Sequence, residues 1–278
     1  MVTVVVPLDG SEFAERALRP ACALAACLED ARVLLVTCAP DDAAVVQAHL
    51  DDRAGLFAAA VEVDSRIVED AEPADGILQT LSSVPDALLC MATHGRGGLR
   101  TAVLGSVAEQ VVCRSSEPLV LVGPACRTVL QVGERGRLLV CSDGSAFSAS
   151  IIPAAASWGA RLRLESWVTE VVAPDEEVAS PGEPVRNRQV EAASARLDQL
   201  AAQLGTPTSM ARPKVLHGTP VSRSIVGFAG QLPATLIAMA THGRTGLART
   251  AMGSVAADVV RHAPCPVLVT RPEAMAGA

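Results

Sequence analysis

The amino-acid sequence predicts two tandem α/β domains, each a doubly wound, five-stranded parallel sheet covered by helices on both faces. Three observations lead there. First, the chain repeats itself: residues 91–124, MATHGRGGLRTAVLGSVAEQVVCRSSEPLVLVGP, align without a gap to residues 239–272, MATHGRTGLARTAMGSVAADVVRHAPCPVLVTRP, with 16 of 34 positions identical at an offset of 148. Second, short continuous aliphatic runs alternate with alanine-rich amphipathic stretches, the pattern of strands buried on both faces between covering helices. Third, 278 residues, half of them hydrophobic and 19% charged, suit two folded domains and not a disordered chain.

In the first copy the strand candidates are Thr3–Pro7, Arg32–Thr37, Glu62–Val68, Ala87–Met91 and Leu119–Val122, with helices expected after Ser11, near Asp42, near Ala74 and at Ser106. In the second they are Arg137–Cys141, Arg161–Trp167, Met210–Leu216, Thr235–Met239 and Val267–Thr270, with matching helices. Val4–Ser11 (VVVPLDGS) matches Leu138–Ser145 (LLVCSDGS) at an offset of 134, so the second copy carries 14 extra residues between its two motifs. Their expected place is Ala173–Pro184, where three prolines and four acids break the pattern. A linker is expected within Gly123–Gly136, giving domains at 1–126 and 137–278. With 2% aromatic residues and no tyrosine, the core must be aliphatic.

The net charge of −7 and the scatter of the 23 basic residues exclude a counterion-releasing nucleic-acid surface. No apolar run reaches the roughly 18–20 residues that span a bilayer, and the opening MVTVVVPLD lacks a basic signal-peptide region, so a cytoplasmic protein with no membrane partner is expected. The eight cysteines are dispersed without a C-x-x-C, which reads as small buried thiols.

Two points in each copy place unusual residues just after a strand. One is Asp9-Gly-Ser11, matched by Asp143-Gly-Ser145. It serves either as a helix cap and turn or as a ligand carboxylate. The other is Thr93-His-Gly-Arg-Gly-Gly-Leu99 followed by Gly105-Ser106, matched by Thr241-His-Gly-Arg-Thr-Gly-Leu247 and Gly253-Ser254. Glycines with a helix start form an anion cradle, although Ser106-Val-Ala-Glu109 could equally close on itself as a capping box. In a doubly wound sheet, ligands bind at the carboxyl ends of the strands where the strand order reverses. A reversal between strands one and four would bring both motifs to one crevice, with a carboxylate on one wall and an amide-rich cradle on the other, which suits a ribose with phosphates.

These segments, the V-V-V-P-L-D-G-S opening, A-T-H-G-R-x-G-L, G-S-V-A and a closing P-V-L-V strand, resemble a tandem universal stress protein over essentially both halves. The resemblance implies the adenine nucleotide alpha hydrolase-like fold with strand order 3-2-1-4-5, and ATP, AMP or ADP, with or without Mg2+, held through G-x2-G-x9-G-[S/T]. It places Gly95 and Gly105-Ser106 in that pattern, with Gly243 and Gly253-Ser254 in the second copy, while Ala92 and Ala240 replace the first glycine. A methyl at Ala92 is expected to crowd the phosphate, so that glycine there would tighten binding. The adenine and ribose contacts map to Pro7, Leu8 and Asp9, to Cys141, Ser142 and Asp143, and to Val36 or Thr37 over the base. His94, Arg96, Gly98 and Val107 complete the first cradle, and Arg244, Gly246 and Val255 the second.

Neither histidine of the T-H-G-R segments has a recognisable nucleophile partner, and the turn itself is the simpler role. His217 to Pro220 also reads as a turn. Lys214 is the only lysine and lies outside P-loop spacing, and no carboxylate cluster is spaced to hold Mg2+ strongly. The expected function is therefore a non-enzymatic, stress-related nucleotide-binding module with two sites, or one in the first copy. The competing readings are an interaction or structural protein of the same fold and a slow ATPase. The two copies are expected to pair within the chain through their last strands, and two chains can associate further as a homodimer.

Overall fold

The computed structural model describes residues 1–38, 42–69, 71–95, 104–127, 136–173, 188–205, 210–242 and 252–271. The first half runs β1 (Val2–Pro7), α1 (Glu12–Glu15), α2 (Leu18–Ala26), β2 (Ala31–Cys38), α3 (Ala43–Gly55), β3 (Glu62–Val68), α4 (Pro73–Ser83), β4 (Ala87–Ala92), α5 (Ser106–Arg114) and β5 (Leu119–Val122). The second runs β6 (Arg137–Ser142), α6 (Ala146–Ala149), α7 (Ile152–Arg161), β7 (Glu165–Val172), α8 (Arg188–Leu204), β8 (Arg212–His217), α9 (Val221–Gln231), β9 (Leu236–Ala240), α10 (Ser254–His262) and β10 (Val267–Thr270).

Each half has the order 3-2-1-4-5 with parallel neighbours, and the halves join in one ten-stranded sheet, β3-β2-β1-β4-β5-β10-β9-β6-β7-β8. The junction is the sole antiparallel pair among them, Leu119–Leu121 of β5 against Val267–Val269 of β10, as expected for pairing through the last strands. Duplication thus supplies each terminal strand with a partner for backbone groups that would otherwise be unpaired. Two ion pairs also cross between halves: Arg161 clasps Asp86 at 2.6 and 3.0 Å, and Arg163 reaches Glu29 at 2.5 Å. The outer edges are blunted by charge, with Glu62, Asp64 and Arg66 on β3 and Arg212-Pro213-Lys214 on β8.

The continuous aliphatic strands are explained by burial on both faces. Because side chains alternate, Val4 and Val6 of β1 enter the core under α2, whereas Val5 enters the opposite core with Val36, Met91 and Val111. Each such valine or leucine contributes about 1.5–3 kcal/mol when fully buried. Cys22, Cys90, Cys141 and Cys265 are buried and no described cysteine is in a disulfide. Burial pushes Cys22 up to about 11 and Cys141 up to about 12, so these thiols are packing groups and not nucleophiles.

Two sequence expectations need correction. The second strand of the second copy is Glu165–Val172, not Arg161–Trp167. Arg161 ends helix α7, Leu162 caps it, and Arg163 turns the chain with a positive φ of 54° before the strand begins. The first helix of each copy is also broken, α1 from α2 and α6 from α7. The extra length of the second copy falls between β7 and β8: Val168 is held opposite Pro213 where Leu35 is opposite Ser65, so the offset between copies grows from 133 to 148 across this interval. The proline-rich segment expected to carry it, beyond Ala173, lies outside the described residues, as does the linker from 128 to 135.

Candidate functional site

Strand β1 ends at Pro7, and Leu8 continues the ladder by donating its N–H to the Val36 carbonyl at 2.8 Å. The buried Thr37 hydroxyl then donates to the Leu8 carbonyl at 3.0 Å, which fixes Thr37 opposite Leu8 at the strand ends. Gly10 turns the chain with φ 77°, a conformation that glycine adopts without penalty. Asp9 Oδ1 accepts from the Ser11 N–H at 2.9 Å and the Ser11 hydroxyl at 2.6 Å. The Ser11 hydroxyl oxygen in turn accepts from the Ala14 N–H as the cap of α1. The capping reading of Asp9-Gly-Ser11 is therefore correct, and it aims the second carboxylate oxygen elsewhere: a Cβ on Gly95 would lie 2.1 Å from Asp9 Oδ2. The loop after β4 and the loop after β1 thus meet, as the order reversal between β1 and β4 demands.

After β4, Thr93 donates its N–H to the Val122 carbonyl, and its own carbonyl accepts from Gly105 N–H at 2.7 Å. This bond seats the start of α5 beside the crevice. Gly105, at φ −70° and ψ 160°, is the N-cap of α5 and, as a glycine, supplies no side-chain cap. The capping box expected as the alternative, Ser106 with Glu109, does not form, because Ser106 is already the first helical residue. The Gly105 amide is committed to Thr93, so the cradle's donors are the amides that follow it, Ser106 and Val107, with the positive end of the helix dipole. His94 Nδ1 lies 3.0 Å from the Thr93 hydroxyl, consistent with its reading as part of a turn.

The second copy reproduces this frame. Asp143 Oδ1 accepts from Ser145 N–H and hydroxyl at 3.0 and 2.6 Å, Gly144 has φ 79°, and the Thr241 carbonyl accepts from Gly253 at 2.7 Å ahead of an uncapped α10 that begins Ser254-Val255. His242 repeats the contact to Thr241 at 3.2 Å. The floor differs, and of its residues Ser148, Glu170 and Arg196 were not among those the sequence singled out. Ser142 and Ser148 stand where the first copy has Leu8 and Ala14. Their hydroxyls lie 3.1 Å apart and bind Gly144 N–H and Asp143 N–H. Glu170 is opposite Ser142, buried, and bound by both Nε and Nη2 of Arg196 from α8 at 3.1 and 2.5 Å. Hydrogen bonding to this carboxylate raises the Arg196 guanidinium above its ordinary range.

Ala92 and Ala240 are the last residues of β4 and β9. The Ala92 methyl packs in the same core cluster as Val6, Leu8 and Cys90. Arg96, Gly98, Gly243, Arg244 and Gly246 lie outside the described residues. Among the described residues no group of three metal-binding side chains occurs, and no helix is long and apolar enough to cross a membrane.

Fold and crevice together define a tandem protein of two doubly wound α/β domains. The chain belongs to the universal stress protein family, whose model matches residues 1–123 and 134–271. It is 48% identical over 58 residues to a universal stress protein of Methanocaldococcus jannaschii, covering 21% of this chain and 34% of that one. With a universal stress protein of Mycobacterium tuberculosis it shares 27% identity over 184 residues, 66% of this chain and 61% of the relative. The matches thus span less than two thirds of these curated relatives. Among solved structures, a universal stress protein from Archaeoglobus fulgidus superposes with a TM-score of 0.64 at 18% identity, covering 97% of this chain and 98% of that one.

Proposed function

We propose that this universal stress protein is a non-enzymatic adenine-nucleotide-binding module whose bound or empty state is the signal. The observation that carries the reading is the meeting of Asp9 and Gly95 beside the uncapped start of α5. A carboxylate on the β1 loop suits the hydroxyls of a ribose, and the first-turn amides of Ser106 and Val107 suit phosphate oxygens. Pro7 and Leu8 would contact the base and Thr37 would cover it, with His94, Gly95, Arg96 and Gly98 along the phosphate path. The fit holds for the first copy, where the residue opposite Leu8 is a short threonine. Bound nucleotide brings its own charge and any accompanying Mg2+. In this reading the chain's residues position the nucleotide and perform no chemistry on it.

The domains at 1–126 and 137–278, and a cytoplasmic location, belong to the same reading. Because β5 and β10 cover each other and both outer edges are charged, a homodimer of this chain would use helical faces, not a sheet edge. Mass analysis of small molecules released on denaturing the purified protein, followed by ATP titration in a calorimeter, tests the proposal. An adenine nucleotide in the supernatant and a saturable isotherm are expected. Absence of binding at millimolar ATP would overturn it.

A further inference from the structure

We propose that Glu170 and Arg196 form a built-in plug over the second crevice, so that the chain takes one adenine nucleotide, in its first copy. The inference rests on the nucleotide reading given above. Its starting point is the register. Ser142 of β6 lies opposite Glu170 of β7, and in the first copy Leu8 lies opposite Thr37. Glu170 therefore occupies the place of Thr37, the strand-end residue that would cover the base. A glutamate is longer than threonine and charged, and here it is almost fully enclosed, with its side chain 3% exposed.

A carboxylate so enclosed needs a partner, and the partner decides the geometry. Arg196 comes from α8 and grips both carboxylate oxygens, the two-pronged arrangement in which guanidinium is strongest. Its stem then crosses the Asp143-Gly-Ser145 turn: a Cβ on Gly144 would lie 2.7 Å from Arg196 Nε and 3.3 Å from Cδ. The guanidinium thus bridges the strand end and the turn, the two walls between which a base and ribose would enter. Beneath it the Ser142 and Ser148 hydroxyls satisfy the Gly144 and Asp143 amides, which closes the turn on itself. A nucleotide entering here would have to strip Arg196 from a buried carboxylate.

The first copy directs the corresponding helix elsewhere. Arg196 precedes the fully buried Leu197 of α8, and His49 precedes the fully buried Leu50 of α3. His49 Nε2 and Arg53 Nε both reach Glu15 of α1, at 3.1 and 3.2 Å, and not the strand end. The acid that anchors the helix has moved from α1 in one copy to the base position in the other.

Equilibrium dialysis of the full chain against ATP tests the plug. The wild-type chain is expected to bind one nucleotide, and E170T/R196H, which grafts the first copy's residues and removes both charges of the pair together, is expected to bind one more. E170V/R196A provides a second opened variant, and far-UV circular dichroism identifies whichever retains the fold. Two nucleotides per wild-type chain would overturn the plug, as would a folded opened variant that binds no more than the wild type. A wild-type chain that binds none while an opened variant binds one would remove the first-copy site and leave the plug standing.

Discussion

Asp9 and Gly95 are in contact across the crevice: the carboxylate oxygen Oδ2 lies 2.1 Å from where a Cβ on Gly95 would stand. The relationship explains why a glycine follows His94. Any side chain would drive the β1 and β4 loops apart or turn Asp9 out of the crevice. Gly95→Ala is therefore expected to lower ATP affinity at least tenfold and to cost about 1–3 kcal/mol of stability through overpacking. Calorimetric titration and thermal unfolding measure both. An alanine variant with unchanged affinity would show that Asp9 does not face the ligand.

Gly105 gives the opposite pairing of effects. Its φ of −70° is open to any residue, and a Cβ would meet Thr93 O at an ordinary 3.4 Å. Aspartate at an N-cap accepts from the first-turn amides and complements the helix dipole, worth about 1 kcal/mol. Gly105→Asp is thus expected to raise the melting temperature while abolishing ATP binding, because it places a carboxylate where the phosphate would sit. A variant that is stabilised yet binds ATP normally would move the site elsewhere.

Ala92→Gly is expected to leave ATP affinity unchanged and lower stability. The methyl is part of the core, and glycine in a strand costs about 0.5–1 kcal/mol of backbone entropy relative to alanine. Urea unfolding beside titration separates the two quantities. Tighter binding would bear out the crowding argument drawn from the motif.

Much of this was legible in the sequence for a definite reason. Strands buried on both faces announce themselves as unbroken aliphatic runs, and β5 and β10 stand at the expected boundaries. The Asp9 and Gly95 crevice was legible because it follows from strand order and two repeated motifs. β7 was misplaced because Arg-Leu-Arg-Leu before Glu165 alternates like a strand, while its first residue closes a helix and its third takes a positive φ. The Glu170–Arg196 pair had no local signal: its members lie 26 residues apart, and Arg196 reads as one more charge on an amphipathic helix.

The contact between Asp86 and Arg161 links the halves and makes stability depend on pH. Hydrogen bonding and charge from Arg161 hold the Asp86 carboxyl below its usual range. A lowered folded value means the contribution is present above the unfolded pKa of about 3.9 and is lost as pH falls through the folded value. Both side chains are partly exposed, so the pair is worth about 0.2–1 kcal/mol. Asp86→Asn, which tolerates the positive φ of 50°, should be destabilised by that amount at pH 7. The gap to the wild type should close in acid, as pH falls from the unfolded pKa through the lowered folded value. A gap that persists in acid would assign the loss to the backbone turn.

The β5–β10 junction carries the strongest expectation about folding. Leu119, Val120, Leu121 and Val122 are all buried, and on one edge β5 meets β4 while on the other it meets β10. Cutting the chain after residue 126 removes β10 and leaves that second edge with unpaired N–H and C=O groups beside an uncovered aliphatic row. An exposed, flat, apolar edge is a template for pairing with another chain. Because β5 and β10 come from matching repeats and pair antiparallel, a second copy of residues 1–126 can present its own β5 in place of β10. The fragment is therefore expected to form a two-fold dimer, or to aggregate, where the full chain needs no second molecule to cover this edge. Sedimentation across a hundredfold range of concentration measures it, and Val120→Lys, which puts a charge in that row, should weaken the association. A fragment that stays a soluble monomer throughout that range would show that β5 does not need β10.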